Sequence, residues 1–357
     1  MNRRAWLQRM AGILLLPATT ISAQAQFAPV VPGRTLRFPE DEGSHPDFRT
    51  EWWYVTGWLN AATSPLGFQI TFFRTRPHPD SGNPSRFDPK EILIAHAALS
   101  DARHGRLRHA QRISRSGFGL AAADTRMMDV RLDDWSLTTR DGAYTARIPA
   151  DDLELELRLT RTQPPLPQGE NGYSRKGPQP ASASYYYSLP HLSVEGRVHA
   201  GKDRQRVSGS AWLDHEWSSE YMDSSAVGWD WIGINLDDGG ALMAFRMRAR
   251  DGSQHWAGAT LREANGSTRT FRPDEVRWAA QRRWRSPRTG ADYPVAMRVT
   301  IGHVVVELDP MLDDQENDTR ITTGAVYWEG AVTASRDGKR IGRGYLELTG
   351  YTGALKM

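Results

Sequence analysis

The chain has 357 residues, 45 Lys and Arg against 42 Asp and Glu, and no cysteine, which excludes disulfides, thiolate chemistry and Cys-based metal sites. Setting aside Arg3, Arg4 and Arg9 at the N-terminus balances the charges; with no Lys/Arg stripe clear of acidic neighbours, nothing builds a nucleic-acid footprint. The 13 Trp, 11 Tyr, 10 Phe, 32 Gly and 21 Pro describe many turns joining aromatic strands, in a length that predicts two domains.

The opening 25 residues read as an export leader: a basic start, an apolar run from Met10 to Ile21, and Ala23-Gln24-Ala25 as a cleavage site. Arg3 and Arg4 ahead of Trp6 and Leu7 match the twin-arginine type. A periplasmic or secreted location is therefore expected. The mature chain has no apolar run long enough to span a bilayer.

Residues 27–43 hold Pro and Gly and are expected to cross the surface or plug a barrel end. Glu51 to Leu59 and Leu66 to Arg74 form a predicted β-hairpin, and Ile92 to Leu99 a further strand. Val130 to Leu137 is a candidate strand. In Leu153-Glu-Leu-Glu-Leu-Arg-Leu159, leucine at every second position puts one face in a core and the charges in water. Residues 162–183 are too rich in Pro and Gly for regular structure and predict a lid or packed functional loop.

Strands follow at Leu192 to Val198 and Arg206 to Trp217, with the domain boundary placed between them: residues 26–201 and 202–357. The second half repeats the texture, with Asp-Gly turns at Asp238-Gly239 and Asp251-Gly252. Glu275 to Arg283 is the one stretch conceded to a short helix. The turns are too closely spaced for crossover helices, so the fold class is all-β, antiparallel, with closed barrels favoured over sandwiches because closure removes exposed edges.

The densest cluster of reactive side chains is Trp212-Leu-Asp214-His215-Glu216-Trp217. On a strand, Trp212, Asp214 and Glu216 share one face and His215 the other. Confinement of the two carboxyls raises at least one pKa, the condition for a general acid near neutral pH; the alternative is a strand end with solvated charges. A second cluster runs from His45-Pro-Asp47 through Glu51-Trp52-Trp53-Tyr54, as a ligand site or a salt-bridged barrel mouth. His96, in an apolar run, is expected to be a satisfied core histidine. Asp230 lies between Trp229 and Trp231, and alternation points it away from both rings. Tyr327-Trp328-Glu329 and Asp314-Gln315-Glu316 add acids near aromatic or amide groups, and Ser174-Arg175-Lys176 places basic groups in the long loop, in solvent or against an acidic site.

These residues, together with Gly169-Glu-Asn-Gly-Tyr173, Ser184-Tyr-Tyr186-Tyr-Ser188, Gly228-Trp-Asp-Trp231 and Gly344 to Tyr351, resemble the secreted lipocalin-like family labelled carotenoid 1,2-hydratase-like, AttH-like or "predicted secreted hydrolase". The resemblance covers nearly the whole mature chain and implies two lipocalin-like β-barrel domains packed together with a cavity near their junction. It further implies a hydrophobic small molecule or lipid as ligand, and acid-assisted hydration, isomerisation or hydrolysis of it. The candidate catalytic residues are then Asp214, His215, Glu216 and Asp230. His45, Glu51, Trp53, Tyr54, Tyr173, Tyr186, Trp212, Trp217, Trp229 and Trp231 are the candidate ligand-binding residues. No metal or cofactor is assigned and a monomer is expected. The alternative is a non-catalytic periplasmic carrier associated with an ABC transport system. A leader sets the chain apart from carotenoid biosynthesis, which is tied to the inner membrane and cytoplasm.

Overall fold

The computed structural model describes residues 26–79 and 82–355; the predicted leader lies outside them. Among the described residues, two antiparallel sheets account for every strand. The first holds β1 (Thr50–Asn60), β2 (Leu66–Thr75), β3 (Ile92–Ser100), β4 (Arg108–Arg115), β5 (Ala121–Ala123), β6 (Asp129–Leu132), β7 (Trp135–Arg140), β8 (Ala143–Pro149) and β9 (Leu153–Thr160). The short β10 (Leu166–Pro167) and β11 (Tyr173–Arg175) and the long hairpin β12 (Ala183–Ala200) and β13 (Asp203–Ser218) complete it. The second holds β14 (Ala226–Leu236), β15 (Ala241–Ala249), β16 (Gln254–Arg262), β17 (Thr268–Phe271), β18 (Val276–Arg285), β19 (Asp292–Ile301), β20 (Val304–Pro310), β21 (Glu316–Thr319), β22 (Ala325–Arg336) and β23 (Lys339–Leu348).

Both sheets are meanders in which the last strand returns to pair with the first: β13 with β1, and β23 with β14. The first sheet nearly closes into a barrel, because its two end strands, β4 and β5, are joined by a tight turn with a bridge from Gly117 to Ala121. Closure leaves few unpaired edges, the arrangement a chain without disulfides needs. Leu153, Leu155, Leu157 and Leu159 are all buried in the core of this barrel, as their alternation requires.

Three local expectations are corrected. The stretch read as one strand from Val130 to Leu137 is a hairpin, because Asp133 adopts a left-handed conformation (φ 52°) and turns the chain between β6 and β7. Of residues 275–283 only Glu275 is helical, closing a short 3-10 turn from Pro273; the ladder with β19 extends the rest as β18, tertiary pairing overriding the helix-forming Ala and Arg content. The division expected at residue 201 falls inside the β12–β13 hairpin, and the chain crosses to the second sheet only between Ser218 and Ala226, because β13 is the strand that closes the first sheet against β1.

The outer faces of the two sheets pack against each other around a third, aromatic core containing Tyr54, Tyr186, Trp212, Trp231, Phe245 and Tyr345. Polar bridges cross this junction. Trp58 Nε1 donates to Gly344 O (3.0 Å), the Ser100 hydroxyl to Gln315 Oε1 (2.6 Å), and His96 spans Tyr327 (2.8 Å) and Thr322 (2.9 Å). His96 is thus a satisfied buried histidine, with burial lowering its pKa to about 3.

Candidate functional site

Strand parity separates the predicted residues into two places. On β1 and β13, Trp52, Tyr54, Trp212, Asp214 and Glu216 point out of the first barrel toward the second sheet, whereas Glu51, Trp53, His215 and Trp217 point into its interior. Tyr54 lies directly opposite Asp214 and Trp52 opposite Glu216. The second sheet contributes Trp229 and Trp231 from β14, Tyr327 and Glu329 from β22, and Glu347 from β23. Gly233 keeps the junction tight: a Cβ there would meet the Trp231 ring at 2.5 Å and Trp212 at 3.0 Å.

Between these faces lies a cavity of about 60 Å³ with four carboxyl groups in its wall: Asp214, Glu216, Glu329 and Glu347. Each is handled differently. Asp214 accepts from the Tyr186 hydroxyl (2.6 Å), the Ser188 hydroxyl (2.5 Å) and Trp212 Nε1 (2.7 Å). Burial lifts it to about 7, against the pull of those three donors toward the charged form. The Tyr186 hydroxyl in turn accepts from Trp231 Nε1 (3.0 Å), so Asp214 is tied to the second sheet.

Glu216 is neutralised by Lys176, whose Nζ lies 2.8 Å away, and accepts from Ser184. Lys176 is buried, and its ammonium sits over the rings of Phe245, Tyr186 and Tyr221 at 4.2, 4.7 and 5.4 Å. Burial lowers the Lys176 pKa, with Glu216 opposing the shift. The long loop thus delivers a cation to an acidic strand.

Glu329 is the exception. Its two oxygens, and the Tyr54 hydroxyl, are buried and make no hydrogen bond of good geometry among the described residues, although the hydroxyls of Tyr54 and Tyr327 lie near enough to favour its charged form. Burial, then the charge of Glu347, pushes Glu329 well above the ordinary carboxyl range. Glu347 accepts from Trp229 Nε1 (2.8 Å) and is raised by burial to about 7.

The inner cluster is a closed network. Glu51 accepts from Arg74 Nε (2.8 Å), from His45 through its backbone N–H (2.9 Å) and Nδ1 (2.7 Å), and from His215 Nε2 (2.9 Å). His45 stacks on Trp217 at 3.7 Å and His215 on Trp53 at 4.7 Å. Burial opposes the charge on Glu51, but His45 and Arg74 hold its pKa well below the usual range. Burial likewise opposes the charge on His45, whose pKa is nonetheless raised by Glu51 and Asp41. Burial lowers His215; with its Nε2 donating to Glu51, Nδ1 is left to accept from the Tyr187 hydroxyl (3.1 Å).

The ligand atoms of His45, Glu51 and His215 lie within 4.8 Å of one another, so the trio is the natural place to test for a metal. It does not fit one: the donor atoms already satisfy each other, and the buried Arg74 guanidinium occupies the remaining Glu51 oxygen.

Two predicted residues fall outside both clusters. Asp230 points into the second barrel, paired with Arg246 (2.6 Å), Arg248 (2.9 Å) and the Tyr351 hydroxyl (3.0 Å). Tyr173 packs on the first barrel core and donates to Pro180 O (2.9 Å). Of the cavity wall, Tyr221 and Glu347 were not singled out from sequence, and Trp52 stood in the second cluster without being made a candidate ligand-binding residue. Trp52 shares a strand face with Tyr54; Glu347 reaches the site only through cross-strand pairing.

The profile of the family described as AttH-like matches residues 29–351. A crystal structure from Nitrosomonas europaea, assigned as AttH, is 55% identical, covers 91% of this chain and 100% of its own, and superposes with a TM-score of 0.86. The crystal structure of kievitone hydratase from Nectria haematococca superposes with a TM-score of 0.68 over 92% of this chain and 97% of its own, at 13% identity, a likeness of fold. No curated protein matches the chain.

Proposed function

The chain belongs to the AttH-like family, and from that premise we propose that it takes up a small, largely apolar molecule in the cavity between its sheets and hydrates a carbon–carbon double bond there by proton transfer. One observation carries the reading: Glu329 is a buried acid whose oxygens make no well-formed hydrogen bond among the described residues, beside the hydroxyls of Tyr54 and Tyr327 and kept protonated by burial and by Glu347, in a wall of indole and phenol rings. A neutral carboxyl without a well-formed hydrogen bond inside the protein is available to a ligand.

In the proposed step Glu329 gives its proton to one alkene carbon, the rings of Trp229, Trp231 and Tyr54 face the cation formed on the other, and water adds to that carbon. Glu347, raised to about 7, with its Oε2 accepting from Trp229 and no bond holding Oε1 among the described residues, takes the proton water loses; passing it back to Glu329, directly opposite on the next strand, closes the balance. The donor role first expected of Asp214 moves to Glu329, because the oxygens of Asp214 are already occupied by three donors. A hydratase on the same fold is compatible with this chemistry. The cavity has room for water molecules only, so a ligand enters by displacing the partly exposed rings of Trp52, Phe73 and Trp229 at its mouth.

The test is native mass spectrometry of the protein isolated from its source, to identify a co-purified ligand, followed by turnover of that ligand or its alkene analogue. Glu329→Gln should keep affinity and lose about 10²- to 10⁴-fold in rate. Undiminished turnover in that variant defeats the proposal. If wild type binds the ligand and never converts it, a carrier using the same aromatic wall is the correct reading.

A further inference from the structure

The most exposed aromatic side chains of the described residues are gathered at one tip. Phe87, 76% exposed, lies in the loop between β2 and β3, and Phe118, 55% exposed, in the turn between β4 and β5; their rings stack at 5.7 Å. The arrangement is held in place: Arg115 donates to Phe87 O (2.8 Å) and Arg86 O (2.7 Å), stapling one loop to the other. Its guanidinium lies 4.9 Å from the Phe118 ring, and that of Arg86 5.7 Å from the same ring. Leu120, 41% exposed, adds to the apolar surface. Large apolar side chains held out in water need an occupant.

We infer that this tip docks on an anionic lipid surface. Two features favour lipid over a folded protein partner. The rings stand on the ends of connecting loops, Phe118 between Gly117 and Gly119, exposed side chains on turns that can insert into a soft interface. The cations beside them are guanidiniums on the flanks of the rings, the pairing of apolar anchor and basic residue that holds a peripheral protein at an acidic headgroup layer.

The placement also connects the tip to the cavity. Trp52, Phe73, Ile94 and Ile113 lie directly opposite one another across β1, β2, β3 and β4, so their side chains share the outer face of the sheet. All four are partly or fully exposed, Ile113 at 47%. This apolar row starts at the cavity mouth and ends two residues short of Arg115. A molecule leaving the lipid would meet apolar surface along the whole way; that clause alone rests on reading the cavity as a ligand site.

The experiment is co-sedimentation of the chain from residue 26 onward, without the expected leader, with vesicles of equal phosphatidylglycerol and phosphatidylethanolamine, and with phosphatidylcholine vesicles, in the absence of any ligand. Wild type should bind the anionic vesicles and release them as salt is raised. Phe87→Ser with Phe118→Ser should weaken binding about tenfold or more, and Arg86→Glu several-fold. Ile321→Ser, at an 86% exposed apolar residue away from the tip, should bind as wild type. Thermal unfolding of each variant separates misfolding from lost docking. Equal vesicle binding by the double serine variant overturns the inference, as does wild-type protein that stays in the supernatant with every vesicle, which would leave the tip as a protein-docking surface. Because no ligand is present, a failed cavity reading leaves this result untouched.

Discussion

Glu329 and Glu347 stand directly opposite each other on β22 and β23, two acids in the register position where like charges repel most. Both are raised above the ordinary 4.5, Glu347 to about 7. The folded protein therefore holds protons that the unfolded chain releases between about pH 4.5 and pH 7. Their contribution to stability is complete below the unfolded value and is lost as pH rises through the folded one. Urea midpoints should fall from pH 5 to pH 8, and Glu347→Gln should flatten that slope by on the order of 2 kcal/mol, a figure reduced for the partial exposure of Glu347. An unchanged slope would mean that the pair does not titrate in this range.

Among the described residues Lys176 is the cation ion-paired to the cavity acids, at 2.8 Å from Glu216. Lys176→Met keeps the volume and leaves Glu216 as a buried, unpaired acid, so stability should drop by about 3–5 kcal/mol. Adding Glu216→Gln should restore much of the loss, since both charges are then gone. Denaturant midpoints of the two variants decide it, and equal instability in both would show that Lys176 acts through packing alone.

The sheet architecture was legible because alternation is a local signal: Leu153 to Leu159 names its buried face without help from the rest of the chain. The same rule applied to β13 separates Asp214 and Glu216 from His215, as the structure does. What sequence could not decide was which face of β1 and β13 looks at the cavity between the sheets. Grouping Glu51, Trp52, Trp53 and Tyr54 by proximity mixed the two faces, and the candidate list kept Trp53, on the inner face, over Trp52, the ring at the mouth. Asp230 shows the limit differently: its parity was read correctly, but the arginines that claim it, Arg246 and Arg248, sit on the next strand. Glu347 depends wholly on register.

The inner cluster should behave as a clamp and not as a metal centre. Glu51→Gln removes the carboxylate beside the fully buried Arg74, and should destabilise the protein by about 3–5 kcal/mol. It should also lower the raised pKa of His45, leaving Asp41 alone to hold its charge; the contribution of His45 to stability is complete below 6.5 and lost as pH rises through the folded value. Added zinc or a chelator should leave Tm unchanged in the wild type. A rise in Tm with zinc that vanishes in His215→Ala would overturn the clamp and make His45, Glu51 and His215 a metal site.

Two tyrosines on the strands that flank β13 offer a matched comparison. The Tyr186 hydroxyl donates to Asp214 and accepts from Trp231, so Tyr186→Phe strands a buried carboxyl oxygen and an indole N–H and should cost about 2–3 kcal/mol. Tyr54→Phe removes a hydroxyl that makes no well-formed hydrogen bond among the described residues and only lies near Glu329, and its effect on stability should stay within about 0.5 kcal/mol or be stabilising. If the orphaned hydroxyl exists to meet a ligand, the same silent substitution should weaken ligand binding. A Tyr54→Phe protein that is as unstable as Tyr186→Phe would show that the hydroxyl is already satisfied within the fold, and with it would go the main sign that this cavity waits for a polar group from outside.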